Sequence, residues 1–215
     1  MEKNILIAGK DIPFCSDFAQ QLLLSGCNVV AAGKTDSPES SVPSEVKAVS
    51  WNKSSAISAR SVIIQAETLH NFADDAILYF DAPQFVAQFG SLTSDSCAPA
   101  ADAMILGYQY LTIELLNRIE QHKAKSRIIF LLKTCPTTAE TSRSASLKKT
   151  VSSPANAIVA AAEASFATFA ENIAAVTAGT YHGDESKKHI EVSSIEIDSR
   201  KVQPGGLFVA IKGER

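Results

Sequence analysis

The chain has 215 residues, of which 46% are hydrophobic and 20% charged, an ordinary globular composition for one domain or for one plus a small appendage. A net charge of -3 and a pI near 5.8 leave no positive footprint for nucleic acid or an anionic membrane. No apolar run reaches the roughly 18 residues that cross a bilayer, and Met1-Glu2-Lys3-Asn4 enters a strand with no leader pattern, so a cytoplasmic protein is expected.

Cys15, Cys27, Cys97 and Cys135 are far apart, with no C-x-x-C and no clustered histidine. They read as reduced thiols, and no metal site is expected.

In chain order, residues 4–9 form a short apolar run ending in Gly9, the pattern of a buried parallel strand. Ser16 can cap a helix that puts Phe18, Ala19, Leu22 and Leu23 on one face and stops at Gly26. Strands follow at 28–32 and 46–51, separated by the polar loop GKTDSPESSVPSE. Residues 54–69 predict a helix, with the β-branched SVII segment as the place where it would break.

AILYFD at 76–81 is a buried strand, 100–125 a long helix, and RIIFLL at 127–132 a fifth strand. The Ser/Thr-rich stretch from Thr134 to Pro154 predicts a mobile segment. An Ala-rich helix over 156–172 and a sixth strand over 174–179 complete the series. Alternating strands and helices of this kind predict a doubly wound α/β fold with a parallel sheet, Rossmann-like.

The order and spacing over residues 4–179 resemble a short-chain dehydrogenase/reductase. That family opens with T-G-x-x-x-G-x-G and a helix, and here Ala8-Gly9 stands for Thr-Gly, Pro13 for the second glycine and Cys15 for the third. The family's glycines let the backbone approach a pyrophosphate and aim N–H groups at it. Pro13 has no N–H, and Cys15 projects a side chain, so the resemblance implies a compromised phosphate cradle. At the end of the second strand Gly33-Lys34 supplies no acid for a ribose hydroxyl; Lys34 can meet a 2′-phosphate, or is simply solvated.

The family's Asn-Asn-Ala-Gly turn appears as Phe80-Asp81-Ala82-Pro83, and Lys133 stands near the family's catalytic serine, with Thr134 the nearest hydroxyl. The Y-x-x-x-K pair is absent. Four residues after Tyr79, Tyr108, Tyr110 and Tyr181 stand Pro83, Thr112, Glu114 and Glu185. In the resembled chemistry a lysine lowers the pKa of the tyrosine acid/base, so the usual hydride transfer is not expected here.

Residues 195–215, IEIDSRKVQPGGLFVAIKGER, resemble the opening hairpin of Mur ligases, which implies a UDP-binding role for Ser199 and Arg200. No P-loop G-K-[ST] accompanies them, so ligase activity does not reside here. As plain structure, the segment is a β-hairpin that must pack on something larger.

Among the other chemistry-bearing residues, Asp81 and Lys133 at adjacent strand ends can form an ion pair; alternatively Asp81 caps a turn beside Pro83. His182 and His189 flank a polar loop and read as solvated, Trp51 as core or an adenine contact with Asn52, and Cys15 as packed.

The sequence therefore predicts a Rossmann-like domain over 1–180 and a Mur-ligase-like hairpin segment over 190–215. The leading functional expectation is a non-catalytic binding or structural module, with no cofactor expected. One alternative is an NADP-dependent oxidoreductase using Lys133, Thr134 and Asp81, with Gly9, Lys34 and Asp81 toward the cofactor. The other is a binder of UDP-linked precursors through Ser199 and Arg200. Small residues at helical spacing from Ala157 to Ala167 predict a homodimer through the helices at 100–125 and 156–170.

Overall fold

The computed structural model describes residues 2–9, 16–33, 44–89, 93–123, 126–134, 154–181 and 190–195. The strands are β1 (Asn4–Ala8), β2 (Asn28–Gly33), β3 (Lys47–Ser50), β4 (Asp75–Asp81), β5 (Ser126–Lys133) and β6 (Ile190–Ile195). They form one sheet in the order β3-β2-β1-β4-β5-β6, and every pairing is parallel. The order reverses at β1, so the crevice beyond the C-terminal ends of β1 and β4 is where a doubly wound fold places its site.

The described helices are α1 (Ser16–Leu24), α2 (Ala56–His70), α3 (Ala82–Gln88), α4 (Ser94–Ala101), α5 (Gly107–His122) and α6 (Pro154–Tyr181). Strand alternation builds two cores. Leu6, Val30, Leu78, Phe80, Ile128 and Phe130 face α2, α5 and α6, while Ile5, Ile7, Val29, Ile77, Tyr79 and Ile129 face the side of α1. None of the described helices is long and apolar enough to cross a membrane.

Helix α2 does not break at SVII. Val62 and Ile63 are buried in the core, so packing outweighs the cost of their branched side chains. Ser55 caps it by accepting from the Ser58 N–H at 3.2 Å. The long helix starts earlier than the expected residue 100, at Ser94, and ends at Lys123 in the left-handed conformation. Between α4 and α5 a π-helical stretch, Asp102–Leu106, follows Pro99, whose missing N–H already interrupts the regular ladder.

The expected sixth strand at 174–179 is corrected: these residues are the end of α6. Alanine is the strongest helix former, and the β-branched Thr177 is accommodated because its hydroxyl donates back to the Ile173 carbonyl at 2.8 Å. The sixth strand is β6 instead, paired with β5 from Ser126↔Ile190 to Leu131↔Ile195. The first residues of the 190–215 segment thus lie in the main sheet. The hairpin expected beyond them, the segment from 135 to 153, and Ser16 as a side-chain cap lie outside the described residues.

Candidate functional site

Strand β4 delivers three consecutive groups to the crevice. Tyr79 and Asp81 point to the α1 side and Phe80 to the other, as the two-residue period requires. Asp81 is buried and lies in register with Lys133 of β5. Its Oδ1 accepts from the Gln84 N–H at 3.1 Å, capping α3. Its Oδ2 accepts from Tyr79 Oη at 3.2 Å and Lys133 Nζ at 3.3 Å. Both sequence readings of Asp81, the turn cap and the ion pair, therefore hold together, one on each oxygen.

The same contacts fix the chemistry of Tyr79. Burial, then the charge of Asp81 and the hydrogen bond to it, push the phenol well above its ordinary value. That tuning is the reverse of what an acid/base tyrosine needs. Lys133, with 42% of its side chain exposed, neutralises Asp81 rather than a phenolate. Thr134 is exposed just beyond the strand.

Gly9 follows β1 with φ 107, and its bare Cα faces inward. A Cβ there would lie 2.2 Å from the Tyr79 carbonyl oxygen and 2.6 Å from Tyr108 Oη. Tyr108, 1% exposed, reaches in from α5 and donates to that same Tyr79 carbonyl at 2.7 Å. The Gly9 carbonyl in turn accepts from Lys53 Nζ at 3.1 Å.

Lys53 was not singled out by sequence reasoning, yet it organises this corner. Its ammonium sits 5.5 Å, 4.9 Å and 5.8 Å from the ring centres of Trp51, Phe85 and Tyr108. Gly107 admits it: a Cβ at that position would come within 2.7 Å of the Lys53 Cβ and carbonyl. Beside it opens a cavity of about 430 Å³, bounded by the β3–α2 connection, α3 and α4. Trp51 lines this cavity although it is only 3% exposed, and it packs edge-on to Tyr108.

The one sequence signal for this corner was position, since Trp51, Asn52 and Lys53 follow directly on the C-terminal end of a strand. Helix α3 carries no local sequence signal, because residues 80–83 correspond to a turn in the resembled family.

Lys34, Pro13, Cys15, His182, His189, Ser199 and Arg200 lie outside the described residues. Among the described residues no group of His, Cys, Asp and Glu is arranged to hold a metal ion, and Cys27 and Cys97 are unpaired thiols.

No protein-family model matches the chain, and no curated protein matches it. Solved structures do. A short-chain dehydrogenase from Leptospira borgpetersenii serovar Hardjo-bovis with bound NAD+ superposes with a TM-score of 0.64 at 13% identity, covering 91% of this chain and 70% of that one. The fold is that of the short-chain dehydrogenases. A short-chain dehydrogenase from Bacillus anthracis gives 0.61 at 16% identity over 90% of this chain and 74% of that one. A polyketide ketoreductase variant of the actinorhodin system, with NADPH, gives 0.61 at 12% identity over 90% and 69%. At these identities the likeness concerns the fold alone.

Proposed function

We propose that this chain is a short-chain-dehydrogenase-like module that does not perform the fold's usual hydride transfer and acts through binding or as a structural unit. The observation that carries this reading is the use made of Gly9. The glycine retained from the family's motif gives its open side to Tyr108 and the Tyr79 carbonyl and its own carbonyl to Lys53, all within the protein. The residues present do not fit a nicotinamide dinucleotide in the family's manner, and no step is derived through one. The upward-shifted phenol of Tyr79 and the absent Y-x-x-x-K pair support the same conclusion.

A thermal-shift panel of NAD, NADP, NADPH, UDP and UDP-sugars tests it, since a ligand at 100 times its Kd stabilises by roughly 2.7 kcal/mol. No dinucleotide shift is expected. An NADPH shift accompanied by carbonyl turnover would overturn the proposal.

The convergence of Asp81 and Lys133 at 3.3 Å favours one second reading, an NADP-dependent oxidoreductase with Lys133, Thr134 and Asp81 at its centre. In that case Lys133→Ala abolishes the turnover while the melting temperature moves little. UDP-precursor binding through Ser199 and Arg200 is read in the same panel, as a UDP-specific shift lost in Arg200→Ala. A cytoplasmic location belongs to the proposal and rests on the reduced-thiol reading of the cysteines.

The proposal includes a homodimer through α5 and α6. Val159, Ala162, Phe166 and Ala170 face the core, whereas Ala157, Ala160, Ala161 and Ala164 are exposed. The exposed alanines thus do not pack on the sheet, and they leave a smooth face for a like helix about a two-fold axis. Light scattering is expected to give a dimer for the wild type, and monomer or insoluble protein for Ala160→Arg or Ala164→Arg. A wild-type monomer at high micromolar concentration sinks the idea.

A further inference from the structure

We draw no further inference here: the strongest candidate, the cavity of about 430 Å³ bounded by the β3–α2 connection, α3 and α4, belongs to the crevice already described, and nothing in the structure shows which class of ligand its lining selects.

Discussion

Strand β4 carries an aspartate at each end, and β5 meets each with a cation in register: Asp75 with Arg127, and Asp81 with Lys133. The two pairs are built differently. At the N-terminal edge Arg127 grips Asp75 with two nitrogens at 2.6 Å and 2.8 Å, and Lys3 adds a contact at 3.2 Å. Asp74 beside it accepts from the Asn4 N–H, tying β1 to the same corner. At the C-terminal edge Lys133 is the one cation among the described residues that approaches Asp81, at 3.3 Å, and the carboxylate is shared with a phenol and a helix cap. A rigid fork matched to one carboxylate makes a clamp, while a flexible ammonium on a shared carboxylate makes a junction. A doubly wound sheet places its ligand crevice outside the C-terminal ends of the strands, and the looser junction lies at that end.

The comparison can be broken or sharpened by mutation. The largest effect is expected at Gly9. Gly9→Ala places a Cβ against a backbone carbonyl at a φ that L-residues avoid, and should cost about 3 kcal/mol or more in urea unfolding. Such a cost would show that the crevice edge is packed as tightly as a core, whatever its looser ion pair.

Next comes Asp75→Ala, at about 2–3 kcal/mol, below the value for a fully buried pair because Arg127 and Lys3 keep part of their surface in water. Asp81→Ala should cost about 1–2 kcal/mol, from the lost cap and a pair discounted for the exposure of Lys133. Asp81→Asn keeps the cap and should recover about half of that loss. If Asp81→Ala costs more than Asp75→Ala, the assignment of clamp and junction is reversed.

The smallest effects are in the pH profile. Burial raises the Asp75 carboxyl, but Arg127 and Lys3 outweigh it and hold the group below its ordinary value. Its contribution is complete above the unfolded pKa of about 3.9 and is lost as pH falls through the folded value. Asp75→Asn should therefore flatten the acid limb of a stability profile. Tyr79 has the opposite sign: raised in the fold, it contributes fully below an unfolded pKa of about 10 and less as pH climbs through the folded value. Tyr79→Phe should flatten the alkaline limb alone.

The sheet was legible in the sequence because buried parallel strands are short apolar runs, and five of the six fall where such runs stand. The exception shows the limit of that signal. AAVTAG at 174–179 is as apolar as a strand, but it continues an Ala-rich helix and takes its structure from what precedes it. At the site, Asp81 and Lys133 were found because strand ends are readable and register follows from them. Lys53 and Tyr108 were not. Their meeting at Gly9 depends on α5 descending beside the β3–α2 connection, with a π turn before it and no Cβ at Gly107, and no local pattern encodes that approach. That Pro13 and Cys15 stand where the resembled motif has glycines was plain in the sequence, whereas the packing of Gly9 against Tyr108 and the Tyr79 carbonyl needed the fold.

The place of β6 bears on how the chain is made. β5 is finished at Lys133, but its outer neighbour is not synthesised until Ile190–Ile195, after all of α6. Until then β5 offers a row of unpaired N–H and C=O groups along an apolar strand, RIIFLL, the kind of edge that recruits strands from other chains. A fragment cut at Gly179, where the strand series was expected to close, would keep that edge open permanently. The full chain is therefore expected to be more soluble than a chain truncated at Gly179, with the interval between β5 and β6 the aggregation-prone stage of synthesis.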